Sequence, residues 1–360
     1  MRIAVVTSSP PFSEGGHLVI ARAVVSALLE AGHAADLLLT PQNRFGRQAS
    51  AYLANWLTDV GVSHEGAPID HVISLRFPSY AVRHRSHVCW LNHRMREYYD
   101  LWDRFRATLS WKARIKEGLR RRILHRVDRY LLTRNVTKLF AQSGTIQRRL
   151  ERWGGIPSEV LFPPPPARPY RCEGYGPELF AVSRLTPLKR MDLLVRALAE
   201  PQARDATCTI AGDGGEADRL RALVADLGLA DRVRMIGSVD GDQLVAHLAR
   251  CRAVVFPALA EDYGLVTIES FASAKAVLTC RDSGGPAELV QHGTNGLVSE
   301  PTPASLAQAI GMLAGDAAVA ERMGQAAHRT AAGITWPATI ARLLLTPAPQ
   351  PRLERNVASE

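Results

Sequence analysis

The stretch Arg252-Ala-Val-Val-Phe-Pro257, followed by Glu261-Asp-Tyr-Gly-Leu-Val-Thr-Ile-Glu269, predicts a buried strand, a loop and the start of a helix. The first N–H groups of a helix are free and its dipole is positive there, so α/β proteins bind anions at such turns. Glu261 on the loop and Glu269 in the helix would bracket a ligand laid across this terminus. The alternative is a solvated turn with two surface acids.

The same strand–loop–helix rhythm runs through both halves of the chain. Predicted strands cover 2–7, 36–40, 71–75, 87–91 and 136–142 in the first half, and 179–182, 208–211, 233–237, 253–256 and 276–279 in the second. Helical patterns alternate with these strands, so we predict an α/β fold of two doubly wound domains. Ligands of such sheets bind beyond the carboxyl ends of the strands, and we expect the site in the cleft between the domains.

A proline-rich segment marks the predicted boundary between the domains. Val160-Leu-Phe runs into Pro163-Pro-Pro-Pro166 and a Pro/Gly/Tyr-rich stretch that ends at Pro177. The predicted organisation is therefore an N-terminal domain at 1–163, a linker at 164–177, a C-terminal domain at 178–333, a helix at 334–346, and a disordered tail at 347–360.

Length and composition agree with two globular domains. A chain of 360 residues is too long for one ordinary core, and 46% hydrophobic with 22% charged residues is a globular composition. The N-terminus Met1-Arg-Ile-Ala-Val-Val6 is interrupted too early for a signal peptide, and no apolar run is long enough to span a bilayer. The cysteines show no metal-ligand spacing, so we expect a cytoplasmic protein whose thiols are buried (Cys89, Cys172, Cys208, Cys251 and Cys280).

Two cations precede the carboxylate pair in the chain. In Ala181-Val-Ser-Arg184-Leu-Thr-Pro-Leu-Lys189, Arg184 offers a planar fork to phosphate oxygens and Lys189 offers a compact point charge. Fixed cations and backbone N–H groups can stabilise the charge that grows on a pyrophosphate leaving group without a metal. A surface Arg/Lys pair alone is common, but its combination with two carboxylates at such turns is much rarer.

In these residues the chain resembles the retaining, nucleotide-sugar-dependent glycosyltransferases of family 4. The resemblance covers nearly the whole chain and rests on Gly15-Gly16, Ser183-Arg184-Leu185 with Lys189, Ile210-Ala-Gly-Asp-Gly-Gly215 and the Glu-x7-Glu element. It implies the GT-B fold, in which two Rossmann-like domains face each other across a cleft. The N-terminal domain would bind the acceptor, the C-terminal domain the nucleotide sugar, and the helix at 334–346 would return to the N-terminal domain.

The resemblance also implies roles for individual residues. The catalytic face would comprise His93, Arg184, Lys189 and Glu261. Donor-binding residues would be Gly15, Gly16, Gly212, Asp213, Val239, Asp262, Tyr263, Gly264, Leu265, Val266 and Glu269. Arg96 and Tyr99 are expected acceptor contacts. His93 follows a strand end, where a neutral imidazole can hydrogen-bond a sugar hydroxyl or relay a proton; a structural histidine is the alternative.

Two glycine motifs and one acidic motif also have simpler, structural interpretations. Gly15-Gly16 lets the backbone approach a phosphate closely, but it can also be a flexible turn. The 210–215 motif can be a structural turn. Asp240-Gly-Asp242 looks like a metal-binding D-x-D, yet it precedes a helical pattern and is more simply a helix cap. We therefore expect no metal and no cofactor beyond the nucleotide sugar.

The region from Arg94 to Arg152 is strongly basic, with 17 Lys/Arg against 6 Asp/Glu. Its Trp111–His125 part mixes apolar and basic residues at near-helical spacing. Such a segment can lie on an anionic membrane leaflet, here the inner face of the plasma membrane, or meet a phosphorylated acceptor. A solvated basic helix is the other interpretation, and non-specific nucleic-acid binding is a third.

The expected activity is metal-independent transfer of a hexose from a nucleoside-diphosphate sugar to a glycan or lipid-linked acceptor. GDP-mannose is the first expectation for the donor, and a UDP-sugar is the alternative. An epimerase or phosphorylase of the same fold is a further alternative, but neither enzyme needs an extended acceptor. The long basic segment favours an extended acceptor and therefore a transferase. A nucleic-acid-binding protein is the alternative from another class; it would show a steep salt dependence and no nucleotide-sugar affinity.

Overall fold

The computed structural model describes residues 1–10, 12, 15–42 and 46–344. Its contacts divide the chain into two units. Unit 1 comprises Met1–Phe140, Leu150–Glu159 and the described residues from Ile340 on, and unit 2 comprises Ala141–Arg149 and Val160–Thr339. Residues 164–177, predicted as a linker, therefore belong to unit 2 by their contacts. The tail predicted at 347–360 lies outside the described residues.

Unit 1 is built on a six-stranded sheet with the strand order β2-β1-β3-β4-β5-β6. β1 pairs in parallel with β2 and β3, and β3 pairs in parallel with β4. The strands are β1 (Arg2–Ser9), β2 (Ala34–Pro41), β3 (His71–Ser74), β4 (His87–Leu91), β5 (Lys138–Ala141) and β6 (Glu159–Val160). β3 and β4 are buried along their whole length, as expected of strands that are covered on both faces.

The helices between β1 and β6 along the chain are α1 (Gly16–Glu30), α2 (Gln48–Leu57), α3 (Trp102–Ala107), α4 (Trp111–Tyr130) and α5 (Gly144–Arg152). The basic region from Arg94 on thus contains a 3-10 turn, α3, α4 and a π-helical turn at Leu131–Asn135. The unit boundary passes through α5, whose first residues count with unit 2.

Unit 2 is built on a second six-stranded sheet with the order β12-β11-β10-β7-β8-β9. All five of its strand pairings are parallel. The strands are β7 (Glu178–Val182), β8 (Thr207–Ala211), β9 (Val233–Gly237), β10 (Val254–Val255), β11 (Val277–Cys280) and β12 (Gly296–Ser299). Phe180 on β7 and Phe271 on a covering helix are completely buried in one continuous hydrophobic core.

Helices alternate with these strands along the chain. They are α6 (Met191–Leu198), α7 (Ala217–Asp226), α8 (Gly241–Arg250), α9 (Leu265–Ala272), α10 (Gly285–Leu289), α11 (Pro303–Gly315), α12 (Ala317–Ala332) and α13 (Trp336–Leu344). The last residues of α13 count with unit 1, where the Leu343 carbonyl oxygen lies 3.1 Å from His71 Nε2.

The predicted fold class is confirmed, because both units are parallel, doubly wound α/β sheets. The strand order explains where ligands are expected. β7 lies between β8 and β10 in the sheet, so the chain leaves β7 in one direction and later returns to its other side. Such a reversal of strand order opens a crevice at the carboxyl ends of the strands.

Candidate functional site

Three loops of unit 2 meet at the carboxyl ends of β7, β8 and β10. Because β7 pairs with both other strands, the loop that starts at Ser183, the loop that starts at Gly212 and the loop from Pro257 to Gly264 lie side by side. Both predicted cations and the predicted Glu261 are on these loops. The sheet topology therefore brings together residues that are far apart in the sequence.

Lys189 and Glu261 form an ion pair in this group of loops. Lys189 Nζ lies 2.6 Å from Glu261 Oε2, and both side chains are mostly buried, with 15% and 20% exposed. Lys189 Nζ also lies 5.2 Å from the centre of the Phe256 ring. An anion bound to an ammonium beside this apolar ring would be less screened by water.

The main chain of Glu261 is fixed by the loop after β11. Its N–H donates to the Ser283 carbonyl at 2.8 Å, and its carbonyl accepts from the Gly285 N–H at 3.0 Å. Gly284 has a φ of 75°, and a Cβ there would lie 2.4 Å from the Glu261 carbonyl oxygen. A glycine is therefore needed at 284 to seat Glu261 in its position.

Helix α9 begins immediately after this loop. Gly264 precedes it with a φ of 76°, and a Cβ on Gly264 would lie 2.5 Å from the Pro286 side chain. The first N–H groups of the helix, those of Leu265 and Val266, have no acceptor within a helix and lie at its positive end. The predicted anion-binding turn thus starts at a glycine that no larger residue can replace without strain.

Glu269 is buried in the second turn of α9, with 4% of its surface exposed. Its Oε1 accepts from the Arg168 guanidinium at 2.9 Å and from the Tyr170 hydroxyl at 3.1 Å. Burial raises the pKa of Glu269 to about 7, although Arg168 and Tyr170 act in the opposite direction. The same surroundings raise the pKa of Tyr170, mainly through burial and then through the Glu269 charge.

Asp262 and Tyr263, which were predicted to bind the donor, already have protein partners. The Asp262 carboxylate pairs with Arg149, and its carbonyl accepts from the Ser143 hydroxyl at 2.5 Å. The Tyr263 side chain is buried, and its hydroxyl donates to the Pro163 carbonyl at 2.5 Å. Their side chains hold the loop in place, and their roles toward a donor stay predictions.

The loops after β7 and β8 are joined by close backbone contacts. The Leu185 N–H donates to the Asp213 carbonyl at 2.8 Å, and the Gly212 N–H donates to the Gly237 carbonyl at 2.6 Å. A Cβ on Gly212 would lie 1.8 Å from the Ser183 carbonyl oxygen, and one on Gly214 would lie 2.4 Å from the Leu185 carbonyl oxygen. These glycines allow the Arg184 segment and the 210–215 motif to touch.

Arg184 lies exposed at this junction. Within the described part of the chain, its guanidinium has no hydrogen bond or ion pair with protein. The neighbouring Arg190, by contrast, is held by Asp282 at 2.6 Å and by the Pro257 carbonyl at 2.7 Å. Arg184 is therefore available to an anionic ligand, whereas Arg190 is part of the structure.

The helix-cap interpretation of Asp240 is confirmed. Asp240 accepts from the Gln243 N–H at 2.8 Å, and the Gln243 side chain accepts in return from the Asp240 N–H at 3.0 Å. This reciprocal pair is a capping box at the start of α8. Val239 lies just before it and packs partly buried against the core. Among the described residues, no cluster of three or more His, Cys, Asp or Glu side chains is arranged to hold a metal ion.

The other predicted site residues lie in unit 1. Gly15 precedes α1 and Gly16 is its first residue. His93 lies shortly after β4, with Nδ1 2.8 Å from the Arg94 carbonyl oxygen. The roles of these residues toward a donor stay predictions.

Arg96 and Tyr99, the predicted acceptor contacts, take part in interactions within unit 1. The Arg96 guanidinium lies 2.6 Å from the Asp100 carboxylate. Tyr99 is buried and donates its hydroxyl to Asp128 at 2.6 Å, while the Arg94 guanidinium lies 3.8 Å from the centre of its ring. Their acceptor roles stay predictions, and the structure shows Tyr99 anchoring α4.

Several residues that shape the site were not found from the sequence. Arg149 and Arg168 pair with site carboxylates across more than a hundred residues of chain, and sequence spacing carries no sign of such a contact. Gly284-Gly285 was the one available signal. A glycine pair after a predicted strand marks a close backbone approach, here that of Glu261.

Two Rossmann-like α/β domains in one chain, with a ligand crevice at the carboxyl ends of the second sheet, define the GT-B fold. A model of the family "Glycosyl transferases group 1" matches residues 173–330, which is most of unit 2. HepE of Anabaena in complex with UDP and glucose has the same fold: the TM-score is 0.67 at 18% identity, over 94% of this chain and 98% of that chain.

Curated relatives match over about half of this chain. A D-inositol 3-phosphate glycosyltransferase of Nocardia farcinica is 37% identical over 173 residues, 45% of this chain and 38% of the relative. A GDP-mannose-dependent alpha-(1-6)-phosphatidylinositol monomannoside mannosyltransferase of Mycolicibacterium smegmatis is 32% identical over 191 residues, 49% of this chain and 50% of the relative. The matched part thus spans half or less of each relative's length.

Proposed function

We propose that this protein is a retaining glycosyltransferase that moves a hexose from a nucleoside-diphosphate sugar to a glycan or lipid-linked acceptor. The observation that carries the proposal is the arrangement in unit 2, where Lys189, Glu261 and the start of α9 lie at one switch point of a parallel sheet. A cation, a carboxylate and free N–H groups are the chemistry that a sugar diphosphate needs. The glycosyltransferase family model and the named relatives support the same class.

In this proposal the donor diphosphate binds to Arg184, Lys189 and the first N–H groups of α9. These fixed positive groups stabilise the charge that develops as the nucleotide leaves, which is the largest task in this chemistry. Gly15 and Gly16 contribute backbone contacts from unit 1. Since the cations take the place of a metal, we propose that transfer needs no divalent ion.

Glu261 orients the sugar, together with the main chain of Asp262 and Tyr263. Glu269 binds the ribose: Arg168 and Tyr170 both donate to its Oε1, which leaves Oε2 for a ribose hydroxyl. Gly212, Asp213 and Val239 line the nucleotide. The acceptor hydroxyl enters on the face from which the nucleotide departs, and the leaving phosphate takes its proton, so the anomeric configuration is retained without a protein nucleophile. His93 contacts the sugar from unit 1.

The donor is proposed to be GDP-mannose, because one of the relatives is named a GDP-mannose-dependent mannosyltransferase. A UDP-sugar is the second candidate, because the fold neighbour HepE is described with UDP and glucose.

The basic segment 94–152 is proposed to face an anionic membrane or acceptor and not nucleic acid. Among the described residues no helix has the length and apolar character to cross a bilayer.

A thermal-shift panel tests the proposal. GDP, UDP, ADP and TDP, each with its common sugars, are added with and without EDTA. A donor at about a hundredfold Kd adds roughly 2.7 kcal/mol to the free energy of unfolding, so its shift is easily measured. We expect one nucleotide series to stabilise the protein equally in EDTA, and NMR of the product to show the donor's anomeric configuration. No change of melting temperature with any nucleotide would contradict the proposed donor site. A product with the inverted anomeric configuration would contradict the retaining mechanism.

A further inference from the structure

Helix α4 presents its polar and apolar faces the wrong way round for a helix packed on a soluble domain. Its buried residues are Glu117, Leu124 and Asp128, two of which carry carboxylates. Five of its large apolar side chains face outward instead, with exposed fractions of 67%, 67%, 59%, 51% and 57% at Trp111, Ile115, Leu119, Ile123 and Tyr130. A surface helix normally buries the apolar side.

The inward carboxylates fix this orientation. Asp128 accepts hydrogen bonds from the hydroxyls of Tyr52 and Tyr80 and, at 2.6 Å, from that of Tyr99. Eleven residues earlier on α4, Glu117 accepts from the Tyr98 hydroxyl at 2.7 Å and pairs with Arg120 at 2.6 Å. Turning the helix over would leave these buried polar groups without partners. The outward apolar stripe is therefore a built feature of unit 1.

A groove runs between this stripe and helix α2. Its volume is about 790 Å³, and most of its lining is apolar or aromatic, with Ala49, Leu53 and Trp56 from α2 and Leu119, Ile123 and Tyr130 from α4. Leu53 on the α2 side is 57% exposed, like the stripe it faces. Such a groove fits a flexible hydrocarbon chain.

Cations surround the apolar surface on both sides. Lys116, Arg120 and Arg126 belong to the groove itself. On the α3 side, a hollow of about 320 Å³ is lined by Trp102, Ile115 and four arginines, Arg106, Arg114, Arg121 and Arg122. An apolar stripe between rows of cations is complementary to a surface whose interior is hydrocarbon and whose boundary carries phosphate.

We propose that the outward face of α4 docks onto an anionic lipid bilayer and that the α2–α4 groove holds one hydrocarbon chain of a phosphate-bearing lipid. The stripe from Trp111 to Tyr130, about 30 Å of helix, lies in the membrane interface while the flanking cations meet lipid phosphates. One part of this proposal rests on the proposed transferase function: if the protein is a transferase, its acceptor is lipid-linked.

Vesicle flotation tests the docking face. The wild type is expected to float with phosphatidylcholine vesicles that contain phosphatidylglycerol and to remain unbound with phosphatidylcholine alone. Ile123→Asp should lower binding at least tenfold, whereas Leu29→Asp, which changes an α1 residue of equal exposure (52% against 51%), should not. Lys116→Glu with Arg126→Glu should also abolish binding, with the exposed helical Arg322→Glu as the charge control.

Calorimetry tests the groove. Dihexanoyl phosphatidylglycerol, a short-chain lipid, is expected to bind, and glycerophosphoglycerol, its headgroup without chains, is expected not to. Ala49→Trp fills the groove and should weaken lipid binding at least fivefold, whereas Ser50→Trp, one position along α2 and not in the groove lining, should leave it unchanged. Equal binding of the headgroup alone would show a phosphate site and overturn the chain-binding assignment.

Two further outcomes decide between occupants and between proposals. If the wild type forms a dimer that Ile123→Asp dissociates, and neither binds vesicles, the face meets a second copy and the lipid proposal is overturned. Binding to vesicles that Ile123→Asp leaves unchanged overturns it as well. The rise in melting temperature that nucleotides cause should be the same in every variant. Vesicle binding without any such rise would support the lipid-docking proposal and contradict the proposed transferase function.

Discussion

Lys189 Nζ lies 2.6 Å from Glu261 Oε2, so a residue proposed to hold the donor diphosphate is paired with the residue proposed to orient the donor sugar. The two partners come from loops on adjacent strands, β7 and β10, and are both mostly buried. A diphosphate that binds to Lys189 competes with this carboxylate for the same ammonium. The pair therefore couples occupancy of the phosphate position to the freedom of Glu261.

Replacement of Glu261 by glutamine should separate binding from turnover. Without the carboxylate, Lys189 loses its competing anion, so the free nucleoside diphosphate should bind as tightly as to the wild type or tighter. Transfer should fall about a hundredfold, since an oriented charge is removed from the sugar. Titration calorimetry with the nucleotide and a transfer assay measure the two effects.

The matched variant is Lys189→Met, which removes the cation and keeps much of the side-chain volume. It should weaken nucleotide binding as well as turnover. If Glu261→Gln weakens nucleotide binding as much as Lys189→Met does, the pair has a purely structural role and the competition does not exist.

Removal of the Arg184 guanidinium should slow transfer with little effect on stability. Arg184 is exposed and has no protein partner within the described chain, so its loss leaves no buried group unsatisfied. Loss of a donor to the developing charge typically costs about a hundredfold to a thousandfold in kcat. The comparison is Arg184→Ala against Arg196→Ala, an exposed arginine of α6. Equal turnover in both variants would show that the diphosphate is held elsewhere.

The seat of Glu261 can be tested through two glycines with similar backbone geometry. Gly284 and Gly293 have φ values of 75° and 78°, so alanine costs each about 1–2 kcal/mol of strain. Only at 284 does the new Cβ meet an atom, the Glu261 carbonyl oxygen at 2.4 Å, whereas at 293 nothing lies within 4 Å. Both variants should melt earlier, but Gly284→Ala alone should lose activity. Full activity of Gly284→Ala would mean that the position of Glu261 is unimportant.

Stability should depend on pH through Glu269. Its pKa is raised to about 7 from 4.5, so the folded state holds the proton more tightly than the unfolded chain does. This contribution is fully present below pH 4.5 and is lost as the pH rises through about 7, because the folded protein must then bury a charge. The shift corresponds to roughly 3 kcal/mol at 1.36 kcal/mol per pKa unit.

Urea unfolding of the wild type and of Glu269→Gln, measured across pH 4 to 8, checks this effect. The free energy of unfolding of the wild type should fall relative to that of the variant as the pH rises. A constant difference between the two curves would show that Arg168 keeps Glu269 ionised throughout, which is the opposite protonation state.

The anchoring of α4 by Asp128 should be worth several kcal/mol. Asp128→Ala leaves three tyrosine hydroxyls without their acceptor, two of them on the buried Tyr80 and Tyr99, and each buried group left unpaired costs about 1–3 kcal/mol. The exposed Asp103→Ala on α3 should change the free energy of unfolding little. Calorimetric melting of both variants measures the difference; equal melting temperatures would mean that the carboxylate is dispensable and that the helix is held by its apolar contacts.

The fold could be predicted from the sequence because each buried parallel strand is a short continuous apolar run. The predicted strand at 87–91 matches β4, and that at 233–237 matches β9, residue for residue. β12 (Gly296–Ser299) was missed because it has four residues, of which one is glycine and one is serine, and so short a strand carries too little hydrophobic pattern. α2 was missed because Gln48 and Asn55, which it buries, are polar in the sequence.

The sequence by itself determined the α/β class, the cation and carboxylate loops, and a helix cap at Asp240 or Asp242, because periodicity and capping are local properties of the chain. Only the tertiary structure decided which of these groups meet. The pairing of Lys189 with Glu261, the burial of Glu269 against Arg168 and the outward apolar face of α4 all depend on contacts between distant segments. The physical reason is that burial and ion pairing are set by strand order and packing, which spacing along the chain does not encode.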